Sequence, residues 1–123
     1  MIATCSFSNL NENTFGYSVY EKTPPWFMGN IAKELCIDNA IYKKYTKGEI
    51  SVDEYIKIYF ELLSKLDPHE ILKKYDGKIF VGWNLITGGK YLDNRAIIAE
   101  WIRMTTGVQL KELTKEEALV FGI

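Results

Sequence analysis

Between residues 51 and 66 the apolar positions Val52, Tyr55, Ile56, Tyr59, Phe60, Leu63 and Leu66 recur at steps of three and four, which predicts an amphipathic helix. Ser51 with Glu54 predicts a capping box at its start. The period changes at "KIFVGW", residues 78–83, which is apolar on both faces and bounded by glycines, as in the central strand of a covered sheet. "MIATCSF" reads as strand one, ended by the polar turn "SNLNEN", and "TFGYSVY", 14–20, as strand two. "EKTPPWFMG" stops that second strand, because Pro24 and Pro25 cannot donate to a ladder, and becomes a loop carrying Trp26 and Phe27.

Further helices are predicted over about 38–47, closed by Gly48, and from Pro68 to just before Gly77, opened by Asp67 and Glu70. "NRAIIAEWIRMTT" reads as a helix with Asp93 as its N-cap, a buried stripe of Ile97, Ile98, Trp101 and Ile102, and Gly107 at its end. "VQLKEL" supplies a fourth strand, and Thr114 with Glu117 caps a final helix. Strand, helix and strand across 78–113 form a right-handed crossover, so part of the sheet is parallel. The fold expected is α/β: a single three-layer Rossmann-like domain over 1–123, with a small, mainly parallel sheet of about four strands flanked by helices.

A chain of 123 residues suits one core rather than two. A net charge of −1, with no basic run longer than two lysines, disfavours general nucleic-acid binding. The N-terminus lacks the basic and apolar regions of a signal peptide, and no apolar run is long enough to span a bilayer, so a cytoplasmic protein without membrane association is expected. Cys5 and Cys36 stand apart from each other and from His69, the one histidine, which leaves no disulfide framework and no metal site. No cofactor motif is present either. The cysteines read as small buried residues and His69 as solvated.

Ligands of open α/β sheets bind beyond the carboxyl ends of the strands. Three segments fall there: "SFSN" with Ser6 and Asn9, the Trp26 loop, and "TGGKYLDNR" with Gly88, Gly89, Asp93, Asn94 and Arg95. An arginine in the first turn of a helix opposes the helix dipole by roughly 0.3 to 1 kcal/mol unless an anion lies between them. Either the helix amides and Arg95 share an anion, or Arg95 extends to Asp93 or Glu100. The glycine pair fits neither the dinucleotide fingerprint nor the P-loop. Trp26 is either a wall for a flat ligand or a cover for the core. Tyr42, Tyr45, Tyr55 and Tyr59 have core-like spacing. No nucleophile has a base in reach, so no catalytic residue is assigned, although Glu12, Glu21 and Asp93 leave carboxylate chemistry open.

"IATCSFSN", "SVYEKTPPWFMG", "YKKYTKGEISVDEYIKIYFELLSKLDP" and "RAIIAEWI" together resemble the small bacterial and phage proteins of the domain of unknown function family 488, over nearly the whole length. The resemblance implies an α/β domain whose third strand leads through a Gly-containing loop to a Cys-His-Arg sequence at a helix start. Here Asp93 and Asn94 stand where that cysteine and histidine would be, Arg95 matches, and Gly82 occupies a second position where many relatives carry cysteine. Chemistry relying on the cysteine or histidine is therefore not expected.

The function expected is binding of a small anionic or nucleotide-like ligand, as in a phage-type ligand-sequestering protein. Arg95 and the helix amides, flanked by Gly88, Gly89, Asp93 and Asn94, would take the charge, Ser6 and Asn9 would make polar contacts, and Trp26 would pack on the flat part. The alternatives are an enzyme acting on a nucleoside or nucleotide derivative through Asp93 or Glu21, and a protein interaction module. Any self-association is expected to give a homodimer.

Overall fold

The apolar run Ile79–Gly82 is buried at every position and lies at the centre of the sheet, as its pattern requires. The computed structural model describes residues 1–10, 16–83 and 91–121. In chain order the strands are β1 (Ala3–Ser6), β2 (Gly16–Ser18), β3 (Asn30–Ile31), β4 (Ile79–Gly82) and β5 (Lys111–Glu112), arranged β3-β2-β4-β1-β5 with every neighbouring pair parallel. The helices are α1 (Phe7–Leu10), α2 (Asn39–Thr46), α3 (Val52–Leu63), α4 (Pro68–Lys74), α5 (Asn94–Thr106) and α6 (Lys115–Leu119), with a 3-10 turn at Lys33–Leu35.

Successive strand residues point to opposite faces, and this alternation divides the core in two. Ile79 and Val81 join Ala3, Cys5, Phe7, Leu10, Leu113 and Ala118 on one face, beneath α1 and α6. Phe80 and Ile2 point the other way, into a larger cluster built with Tyr45, Tyr55, Tyr59, Ile71, Ile98 and Trp101 from α2 to α5. The result is a single three-layer α/β domain.

Among the described residues the sheet has five strands where about four were expected. The additional one, β3, is two exposed residues long, too short to leave a period in the sequence. "VQLKEL" contributes only Lys111–Glu112 to β5. Strand one stops at Ser6, and Phe7–Leu10 forms a helical turn where a polar turn was expected, because Phe7 and Leu10, three positions apart, both bury in the smaller core. The β4–α5–β5 crossover passes over β1, so β5 pairs with β1 and not with β4. Helix α3 ends at Leu63, three residues earlier than its apolar period.

The caps hold as read at Asp67, Asp93 and Thr114, the last with both hydrogen bonds of a capping box. At Ser51 the hydroxyl accepts from the Glu54 amide at 3.1 Å, but the Glu54 carboxylate lies 3.5 Å from that hydroxyl, so the expected box is met on one side. Gly107 ends α5 in the left-handed conformation, φ 78°, with open space around it. Gly107→Ala therefore meets no clash and should lose about 1–2 kcal/mol from backbone conformation alone. Urea denaturation should show this as a lower midpoint with an unchanged slope.

Candidate functional site

The start of α5 is the most polar buried region of the described structure. Asp93, Asn94 and Arg95 are 0%, 1% and 1% exposed. Burying such groups is tolerable only when each is paired, and each is. The Asp93 carboxylate accepts from the Arg95 amide at 3.0 Å and the Tyr20 hydroxyl at 2.8 Å, and meets the Arg95 guanidinium at 2.7 Å. Arg95 forks onto Glu112 through Nε at 3.0 Å and Nη2 at 2.8 Å, and the Thr4 hydroxyl donates to the same carboxylate at 2.8 Å. Asn94 accepts from Tyr55 at 2.5 Å and donates its side-chain amide to the Val19 carbonyl at 3.0 Å.

Burial opposes the charge on Arg95, but its bonds to Glu112 and the charge of Asp93 more than offset this and raise its pKa. The Tyr20 hydroxyl is held far above its ordinary range, first by desolvation and then by the Asp93 charge, so it remains a donor. The carboxylate can sit here because Gly82 has no side chain: a Cβ at that position would lie 2.1 Å from Asp93 Oδ2.

The groups expected to meet an anion here are engaged within the chain. The first amides of α5 are occupied, Asn94 by the Tyr20 hydroxyl, Arg95 by the Asp93 carboxylate and Ala96 by the Asp93 carbonyl. Arg95 is neutralised by Asp93 and Glu112. Glu100, the other partner considered for it, pairs with Arg103 instead. The anion at this helix start is supplied by the chain itself. Asn94 is likewise committed to the core. Gly88 and Gly89 lie outside the described residues.

Two of the three segments expected at the strand ends, "SFSN" and the Trp26 loop, meet through aromatic rings, and Trp83 at the end of β4 joins them. Phe7 touches Trp26 edge-on at 6.4 Å, Phe27 at 5.2 Å and Trp83 at 4.7 Å between ring centroids. Trp26 stays 50% exposed, whereas Phe27 packs against the smaller core. Ser6, adjacent to Gly82 in the ladder, shares a hydrogen bond with Ser8 at 2.9 Å, and Asn9 is half-buried on α1.

An open cleft lies close by. From β2 the chain moves outward to β3, while from β4 it moves through α5 to β5 at the opposite edge; these two adjacent strands therefore send their connections apart, the condition for a crevice at their carboxyl ends. A cavity of about 470 Å³ occurs there, lined by Tyr20, Lys22, Asn39, Tyr42, Lys43 and Trp83. Trp83 Nε1 donates to the Lys22 carbonyl at 2.9 Å, tying the end of β4 to the segment after β2. Tyr42 packs edge-on against Tyr20, 5.0 Å between centroids, and the Tyr20 hydroxyl is fixed by Asp93 and Asn94. The buried network thus supports one wall of the cleft.

The cleft lies at the end of the sheet where ligands were expected, but its lining residues were not among those expected to bind. Tyr42 read as packing and Lys43 as part of a short basic pair. Trp83 read as the apolar end of a strand; it lies immediately past β4, at the rim of the sheet. Nucleophilic chemistry has little support: burial pushes the Cys5 thiol up to about 11, with a further contribution from Glu112, and the Cys36 thiol up to about 12. Among the described residues no cluster of three metal-ligating side chains occurs, and no helix is long and apolar enough to cross a membrane. No family model matches the chain, and neither curated proteins nor solved structures show a match to it.

Proposed function

We propose that the protein binds a small anionic ligand in the cleft between the carboxyl ends of β2 and β4. The observation that carries this reading is the lining itself: two lysines, Lys22 and Lys43, beside two tyrosines, an asparagine and a tryptophan, with no acidic side chain among the described lining residues. A volume of about 470 Å³ suits a small molecule. Both lysines are exposed, and neither forms a salt bridge among the described residues, so their charge is available to an incoming anion. The reading is one of binding, because Asp93 is committed to Arg95 and Tyr20, and Glu21 accepts from the Asn39 amide at 2.6 Å. A role in sequestering a ligand, and kinship with family 488, belong to this proposal and rest on the sequence resemblance.

Thermal shift against a panel of phosphates, nucleotides, cyclic nucleotides and dicarboxylates should find at least one stabilising compound. Lys22→Ala combined with Lys43→Ala should abolish that shift while leaving the melting temperature of the free protein within a few degrees, as both side chains are exposed. If no compound stabilises the protein, or the double variant responds as the parent does, the cleft is not an anion site. A second reading, a protein contact surface, is favoured by the exposure of Trp26 and Met28. Sedimentation of the purified protein should show a concentration-dependent dimer if that surface joins two copies.

A further inference from the structure

Resting on the cleft as an anion site, we infer that its ligand is a nucleoside phosphate, a planar heterocycle carrying a phosphate, and not a bare or aliphatic anion. Trp83 carries the argument. It is 45% exposed, yet it is held from two directions: its ring rests on Phe7 at 4.7 Å with a 56° tilt, and its Nε1 is tied to the Lys22 carbonyl. Phe7 is itself buried and braced by Phe27 at 5.2 Å. A large ring fixed on a buried support and left open to solvent presents a π-face at little further entropic cost on binding, which is the requirement of a stacking platform.

The remaining wall is matched to the other parts of such a ligand. Because the Trp83 indole bonds to the backbone of Lys22, the Lys22 ammonium is bound to lie within one side chain's reach of the ring, where a phosphate attached to a stacked base through a sugar would arrive. Lys43 and Asn39, four positions apart on α2, share one face of that helix and line the same cavity. Asn39 carries a donor and an acceptor suited to a base edge, and its backbone is fixed by Glu21. A site for inorganic phosphate has no use for the ring, and a site for a neutral aromatic has no use for the lysines. Their combination is what a nucleotide requires.

Titration calorimetry with the four common nucleoside 5′-monophosphates, ribose 5-phosphate, the free nucleosides and inorganic phosphate separates this inference from the reading beneath it. At least one nucleoside monophosphate should bind more tightly than ribose 5-phosphate and than its own nucleoside. Trp83→Ala should weaken that nucleotide by about 5- to 150-fold, the range for loss of one base stack, and leave ribose 5-phosphate unchanged, while Trp83→Phe should recover much of the difference. If ribose 5-phosphate or phosphate binds as tightly as every nucleotide, or Trp83→Ala affects all phosphates equally, the nucleotide inference is overturned and the anion cleft stands. Absence of binding by every compound overturns both. Should Trp83→Ala fail to fold, the ligand comparison in the parent protein and in Trp83→Phe still decides.

Discussion

Arg95→Ala is expected to lose about 3–5 kcal/mol of stability, the range for removing one partner of a buried ion pair. The reason is what remains behind. Asp93, 0% exposed, would keep a buried carboxylate stripped of the guanidinium it meets at 2.7 Å, and Glu112 would lose both prongs of its bidentate contact. Glu112 is about one-third exposed, so water can compensate that end in part; the greater share of the loss comes from Asp93. Arg95→Lys should recover part of the stability, since one ammonium keeps the charge but cannot reproduce the fork onto Glu112 while meeting Asp93. Urea denaturation of the parent and both variants measures these differences. A loss under about 1 kcal/mol for Arg95→Ala would mean that the pair behaves as an exposed one. Ligand binding by folded Arg95→Lys should match the parent, because Arg95 does not line the cleft. A selective loss of binding would restore Arg95 to the site.

The contrast between Arg95 and Trp83 shows which kinds of information the chain displays. Periodicity and capping are local, so α2 to α6 are legible within a few residues, as is the central position of β4 from its unbroken apolar run. The fate of a charge is not local. Arg95 reads as a misfit at a helix start, and the partners that resolve it lie two residues before it and seventeen after it, on the edge strand β5. "VQLKEL" reads as a strand, but its pattern gives neither its partner β1 nor its register, so nothing in the chain announces that Glu112 will stand beside α5. The cleft has the same character. Lys22, Lys43 and Trp83 are far apart in sequence and each is unremarkable alone; only the sheet order, with β2 and β4 adjacent and their connections diverging, brings them to one rim.

The same non-local logic makes Gly82→Ala a second severe change, one that ordinary helix or strand preference would rate as mild. The added Cβ would lie 2.1 Å from Asp93 Oδ2 and 2.8 Å from Cγ and Oδ1. A surface carboxylate would swing aside, but this one is held by the Arg95 amide, the Arg95 guanidinium and the Tyr20 hydroxyl. Either the ladder that pairs Gly82 with Ser6 shifts, or Asp93 leaves its partners, and overpacking with loss of the buried pair should amount to about 3–5 kcal/mol. Asp93→Ala alone should also be costly, about 3 kcal/mol, as it removes the cap, the Tyr20 acceptor and one counter-ion while Arg95 keeps Glu112. In combination the two changes should be much less than additive, because once the carboxylate is gone the alanine at 82 has space to occupy. A double-mutant cycle followed by urea denaturation should give a favourable coupling energy of about 1–3 kcal/mol. Strict additivity would show that Gly82 and Asp93 do not compete for the same volume, and would remove the glycine from the account of how a buried carboxylate comes to sit at the start of α5.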